Sequence, residues 1–221
     1  MNQTTRHKLM KVSTATLCTA LFKRGLTRQF IQGVLPLNPA LPNMVGEAFT
    51  LRFVPVREDL ATPESWSKPI STRSAIEAMP ENAVVVADAM GVTGAGIFGD
   101  ILCSRMQKRG VAALVTDGVM RDIAGVRGTG LPVWCQGAAA PPSVAGLTFV
   151  SWGEPIGCGG VAVFPDDWVV VDGPAILDSP DASPLAATTD GVVLVVEAGR
   201  TKRPVLTRAA AKARAISTAS A

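Results

Sequence analysis

Short apolar runs, each closed within two residues by an acidic residue, recur along the chain. The clearest are Ala83 to Ala87, Val111 to Val115 and Val192 to Val196. Each is strand-sized and continuous, the pattern of strands buried on both faces. Ahead of them the spacing predicts a helix. Ser13 is a suitable N-cap, Leu17 and Leu21 stand at i and i+4 on one face, and Gly25 supplies the stop. Proline and asparagine between Leu35 and Asn43 predict a loop, and Ala48 to Val56 alternates as a half-buried strand does. Asp59 to Pro69 is polar and carries prolines, a surface loop by composition, and Thr72 to Met79 follows as a helix.

The middle of the chain gives the fold class. The strand over Ala83 to Ala87 ends at Asp88, and Gly91 to Gly99 then holds four glycines in nine positions. A helical pattern runs from Asp100 to Arg109, closed by Gly110, and Val111 to Thr116 is the next strand. Asp117-Gly118 marks a turn, and Met120 to Ala124 opens a further turn or helix. Strand, glycine loop, helix and strand in this order make a βαβ unit, and so an α/β layered fold. Leu131 to Trp134, Thr148 to Trp152, Gly160 to Val163 and Trp168 to Asp172 give a β-rich second half, with no repeat at a period of about 20 to 50 residues. A length of 221 residues, 48% of them hydrophobic, is enough for one sizeable core and points to one domain.

Composition removes several function classes. Cys18, Cys103, Cys135 and Cys158 form no C-x-x-C pair, and no apolar leader precedes them, so they are expected as reduced thiols in a cytoplasmic protein. No apolar run reaches the roughly 18 to 20 residues that cross a bilayer, so no membrane partner is expected. The net charge of +3 is spread along the chain until Glu197, after which only cations remain, from Arg200 to Arg214. A solvated, alanine-rich helix accounts for that tail, and phosphate contact is the alternative; a nucleic-acid partner is not expected. The four tryptophans, Trp66, Trp134, Trp152 and Trp168, are unclustered and are expected as core or interface anchors. His7 is the one histidine and lies in a polar N-terminal segment, which leaves carboxylates, arginine, backbone amides or a metal to carry any chemistry.

Such groups converge around the glycine loop. Gly94-Ala-Gly-Ile-Phe-Gly99-Asp100 places unhindered N–H groups at a helix N-terminus, where a carboxylate or phosphate is favoured. No Gly-Lys-Ser/Thr follows, so this is no Walker A loop. Alone, Asp100 is explained as a first-turn acid complementing the helix dipole, and Arg121-Asp122 as an exposed ion pair. Two strands of one parallel sheet, however, would deliver both groups to the same carboxyl edge, where α/β sheets place ligands. A cation and two carboxylates beside an anion-binding loop outline a metal-assisted enolate site. Asp88 is a supporting candidate, Asp117 lies near in sequence, and Arg57, Lys68 and Arg73 are available for a second carboxylate.

These residues carry a resemblance. The loop ending in Gly99-Asp100, then twenty intervening residues, then Arg121-Asp122 within Val115-Thr-Asp-Gly-Val-Met-Arg-Asp122, resembles the 4-hydroxy-4-methyl-2-oxoglutarate aldolases, relatives of the regulator of ribonuclease activity A. Gly159-Gly-Val-Ala-Val-Phe-Pro165 and Trp168-Val-Val-Val-Asp172 are similar to the later strands of that family, with Asp166 where a glycine is usual. The resemblance implies a swivelling β/β/α domain, assembled as a homotrimer or a pair of trimers with the site near a subunit interface. It implies that Asp122 holds Mg²⁺ or Mn²⁺, that Arg121 contacts the keto oxygen of a small 2-oxo acid, and that Asp100 positions a metal-bound water. The amides around Gly96, Ile97, Phe98 and Gly99 would hold the substrate carboxylate. The implied function is a metal-dependent lyase that cleaves 4-hydroxy-2-oxo acids to pyruvate and decarboxylates oxaloacetate through the same enolate. The alternative is a non-catalytic protein that inhibits an RNA-processing ribonuclease; the relative that does so lacks the aspartate after the arginine, which is present here as Asp122.

The chain departs from the family after Asp172. Val-Val-Val-Asp-Gly-Pro and the later Asp190-Gly-Val-Val-Leu-Val-Val resemble the Walker B region of bacterial tyrosine autokinases. Without a Walker A loop or a single tyrosine, a nucleotide switch is disfavoured. Residues 1–172 are therefore expected as the family-like domain. Residues 173–221 are expected as a continuation packed on it, with an insertion from Gly173 to Thr189, a strand and a basic helix. Glu197 is the one glutamate there that could serve a neighbouring subunit.

Overall fold

The computed structural model describes residues 3–38, 43–172 and 192–196. In it the apolar runs form a parallel core of four strands: β3 (Met44–Pro55), β4 (Val84–Asp88), β5 (Ala113–Thr116) and β7 (Val133–Cys135). Val84 to Ala87 and Ala113 to Val115 are fully buried, and alternation explains why both runs are continuous. Val85 and Leu114 face one layer, with Ile76 of α3 (Thr72–Ala78), Met106 of α4 (Asp100–Lys108) and Val126 of α5 (Ile123–Gly128). Val84, Val86, Ala113 and Val115 face the other, against the hairpin of β10 (Ile156–Cys158) and β11 (Val161–Val163). Sheet, helices on one face and a smaller β layer on the other make the β/β/α arrangement.

The sheet extends beyond its parallel core through β3. β12 (Trp168–Asp172) and β9 (Leu147–Trp152) both pair antiparallel with β3, one along Met44 to Glu47 and the other along Leu51 to Pro55, where the register shifts between Arg52 and Phe53. Beyond β12 lie β13 (Val192–Val196) and β1 (Phe30–Ile31), also antiparallel. β12 and β13 thus pair within one sheet, while the insertion expected from Gly173 to Thr189, Glu197 and the basic tail lie outside the described residues. α1 (Gln3–Leu9) and α2 (Thr14–Phe22) cover this end through Leu9, Leu17 and Leu21, packed on Val45 and Val170. Ser13 caps α2 by accepting from the Thr16 amide. Asp172 Oδ2 accepts from the Thr14 amide at 2.9 Å and its hydroxyl at 3.1 Å, which fastens α2 to the end of β12. No helix among the described residues is long and apolar enough to cross a membrane.

The structure adds local detail to these expectations. The loop expected from Leu35 to Asn43 begins with a short edge strand, β2 (Leu35–Pro36), antiparallel to β7; Pro36 is tolerated because an edge strand leaves one side of its backbone unpaired. The loop from Asp59 to Pro69 contains a 3₁₀ turn over Pro63–Ser67. The polar segment around His7 is helix α1, anchored by buried Leu9 and by Arg6 Nε donating to the Val45 carbonyl.

Val86 has no exposed surface and packs between the sheet and the β10–β11 layer. Val86→Ala should therefore lower unfolding stability by about 2–3 kcal/mol, read as a lower urea midpoint with an unchanged slope.

Candidate active site

The site forms where the loops following β4 and β5 meet at the carboxyl edge of the parallel core. They are joined by backbone bonds: Ile97 N–H donates to the Val119 carbonyl and Arg121 N–H to the Phe98 carbonyl, both at 2.9 Å. A third segment joins them, since Gly96 N–H donates to Pro141 O at 2.9 Å and β6 (Val119–Met120) pairs in parallel with β8 (Gly137–Ala138). Contact this close needs glycine. A Cβ at Gly96 would stand 2.8 Å from Arg121 N, and one at Gly99 would stand 2.7 Å from Asp122 Oδ2.

Around this junction is a cavity of about 220 Å³ lined by Gly96, Ile97, Phe98, Gly99, Asp100, Arg121 and Asp122. The site residues named through the resemblance therefore share one wall system, with Arg73 among the three further candidates for a second carboxylate and with Trp66 and Ser143, while Arg57, Lys68, Asp88 and Asp117 lie outside it. The volume lies below the roughly 300 Å³ typical of drug-sized ligand sites, and suits a small organic acid. Arg121 Nε lies 3.2 Å from Asp122 Oδ2, with both side chains partly open to solvent. Asp122 adopts φ 53 and ψ 45, the left-handed region, which aspartate tolerates better than most residues. It stands at the N-cap of α5 with its carbonyl accepting from Val126 N–H, yet its carboxylate makes no capping bond and lies against Gly99 instead.

Asp100 opens α4, and its Oδ1 accepts from the Ile101 amide at 2.8 Å. One oxygen thus serves the helix end, as a dipole-complementing acid would, and Oδ2 has no protein donor among the described residues. The glycine-loop amides divide in two. Those of Gly96 and Ile97 are committed to backbone carbonyls. Those of Phe98, Gly99 and Asp100 have no protein acceptor among the described residues, and Phe98 is itself buried. Donors without a protein acceptor at a helix N-terminus are placed to receive an anion.

Asp88 and Asp117 serve elsewhere. Asp88 accepts from Met90 N–H at 3.0 Å and Gly157 N–H at 3.3 Å, and Asp117 accepts from Ala89 N–H at 2.8 Å and Gly159 N–H at 3.3 Å. Together they tie the ends of β4 and β5 to the β10–β11 layer. Burial pushes the Asp117 carboxyl above its ordinary 3.8, partly offset by those two amides. The folded state thus disfavours its ionised form: the penalty is full above the raised value and is relieved as pH falls through it toward 3.8. Burial also pushes the Cys103 thiol to about 12 and raises Cys158, so neither is a thiolate nucleophile near neutrality.

The residues missed in the sequence are Trp66, Thr72, Pro142 and Ser143. Trp66, read there as a core or interface anchor, is half-buried on the cavity wall with the Arg73 guanidinium 5.8 Å from its ring centre. Trp134 is core as expected, and Trp152 stacks on Phe149 with ring centres 6.3 Å apart.

Whether the donors suit a divalent ion follows from their chemistry. No group of three or more His, Cys, Asp or Glu that could hold a metal occurs among the described residues, which is unlike a zinc site. Magnesium, however, is held by one or two carboxylates and keeps several waters. Half-exposed Asp122, seated where Gly99 leaves room, and Asp100 beside it fit such an ion.

The family description RraA-like, Aldolase/RraA, matches residues 14–177, and the chain belongs to this family. Among curated relatives, the "Putative 4-hydroxy-4-methyl-2-oxoglutarate aldolase" of Halalkalibacterium halodurans is 31% identical over 158 residues, 71% of this chain and 68% of that one. Protein DlpA of Legionella pneumophila is 24% identical over 176 residues; these are 79% of this chain, which spans only 27% of DlpA. Among solved structures, Streptomyces coelicolor RraAS2, described as an unusual member of the RNase ES inhibitor RraA family, superposes with a TM-score of 0.79 at 28% identity, covering 99% of this chain and 96% of that one.

The junction of the loops yields a direct test. Gly96→Ala forces a methyl group onto the Arg121 backbone and should cost about 1–3 kcal/mol, measured by urea unfolding. An unchanged midpoint would mean that the loops do not meet as described.

Proposed function

We propose that the chain is a divalent-metal-dependent lyase that cleaves 4-hydroxy-2-oxo acids to pyruvate by retro-aldol reaction and also decarboxylates oxaloacetate. The observation that carries this reading is the convergence of Arg121, Asp122, Asp100 and the unsatisfied amides of Phe98 to Asp100 on one small cavity. The identity of 31% to a relative named as such an aldolase supports it.

In this reading the Phe98, Gly99 and Asp100 amides take the C1 carboxylate of the substrate, and the Arg121 guanidinium donates to the C2 oxygen. Asp122, with Asp100 beside it, would hold Mg²⁺ or Mn²⁺, which supplies positive charge for the enolate. Asp100 accepts the proton of the 4-hydroxyl through water as the C3–C4 bond breaks and C4 becomes a carbonyl. The bonding electrons pass onto C3 and the C2 oxygen, where Arg121 faces the negative charge as it develops. A proton returned to C3 gives pyruvate. Oxaloacetate loses carbon dioxide to the same enolate, with no 4-hydroxyl proton to remove. The cytoplasmic location and the trimeric or hexameric assembly implied by the family belong to this reading.

A second reading, a protein that binds and inhibits a ribonuclease, is favoured by the likeness to RraAS2. Asp122 and the unsatisfied amides, which inhibition does not call for, place it second.

Purified protein supplied with Mg²⁺ and either a 4-hydroxy-2-oxo acid or oxaloacetate should release pyruvate, followed by a coupled assay. Asp122→Ala should lower the rate by at least about a hundredfold, and Arg121→Ala by about 10²–10³. Wild type as inert as the variants on both substrate types would overturn the lyase.

A further inference from the structure

Arg73 sits in the first turn of α3 and lines the same cavity as Arg121. The guanidinium lies over the Trp66 ring at 5.8 Å from its centre. Other arginines are engaged: Arg57 by Asp59 through two bonds of 2.8 Å, and Arg105 by Glu77 through two of 2.6 Å. Arg73 has no carboxylate partner among the described residues. A guanidinium over an indole at this distance is within cation–π range, and its N–H fork, not taken up by a carboxylate of the protein, matches a substrate carboxylate in bidentate geometry.

Charge balance indicates what it would receive. Were Asp100 and Asp122 to hold one divalent cation, their charges would be matched, and Arg73 and Arg121 would leave a surplus of two positive charges on the cavity wall. A 2-oxo monocarboxylic acid neutralises one of them. An acid with a second, distal carboxylate neutralises both.

We propose that Arg73, placed over the Trp66 ring on the cavity wall, is the specificity-determining residue that receives the distal carboxylate of the substrate. The inference rests on the reading that the 2-oxo acid end binds at Arg121 and the loop amides. Thr72, beside Arg73 on the same wall, and the 3₁₀ turn carrying Trp66 fix where this end of the pocket lies.

The test measures binding without turnover. Calorimetry with the full chain and Mg²⁺ compares 2-oxoglutarate with 2-oxopentanoate, which has the same chain length but no distal carboxylate; neither carries the 4-hydroxyl that cleavage requires. Wild type should bind the dicarboxylate at least about tenfold more tightly. Arg73→Gln should bring the two affinities within about twofold by weakening only the dicarboxylate, and Arg57→Gln should leave the preference intact. Equal affinities in wild type, or a preference that survives Arg73→Gln, would overturn the role of Arg73. A preference lost as expected in a protein that releases no pyruvate would count against the lyase alone.

Discussion

Everything at the site depends on two loops coming into backbone contact at one edge of the sheet. Ile97 donates to Val119 and Arg121 to Phe98, and these bonds set where Arg121 and Asp122 stand relative to the α4 N-terminus. Each bond contributes only about 1 kcal/mol net. The stronger constraint is steric, because a single methyl at Gly96 or Gly99 would occupy the space of Arg121 N or the Asp122 carboxylate. The same approach sorts the loop amides. Docking consumes those of Gly96 and Ile97 and leaves the next three facing no protein acceptor, so the run of free donors at this end of the cavity is a by-product of how the loops are joined.

The sheet beneath holds these loops still. β4 and β5 are buried on both faces, and Asp88 and Asp117 anchor their ends to the β10–β11 layer through backbone amides. Asp117 is costly to keep ionised there, and it is the position of β10 that gains. Carboxylates in one small region thus do different work. Asp88 and Asp117 are spent on the backbone, while Asp122 and one oxygen of Asp100 stay open to the cavity.

Much of this was legible from residue pattern. Continuous apolar runs bounded by Asp88 and Thr116, with a glycine loop between, gave the βαβ unit and the sheet edge on which Asp100 and Arg121-Asp122 meet. Spacing alone did not show which amides of the loop remain unsatisfied, because that is decided by Val119 and Pro141, segments distant in sequence. Trp66 escaped as a wall residue, and Arg73 was not told apart from Arg57 and Lys68, for a related reason. Trp66 and Arg73 sit in a Pro-containing stretch and a short helix with no periodic signal toward the cavity, and only tertiary packing brings them to it. The β10–β11 hairpin was half seen, since Val161–Val163 alternates but Ile156–Cys158 is too short and glycine-broken to read alone.

The length of β3 has a consequence for how the protein is made. One edge of this strand is covered early, by β4. Its other edge waits for β9 and β12, where Pro55 faces Leu147 and Met44 faces Val171. During synthesis the ribosome therefore releases a central strand whose hydrogen-bonding edge stays open until the second half of the chain has emerged. Such an edge is a template for unintended pairing with other chains. Within that window its safety rests on its own side chains: Glu47 and Arg52 are both exposed in the finished fold, and they put charge along a strand that would otherwise be apolar through Phe49, Leu51 and Phe53.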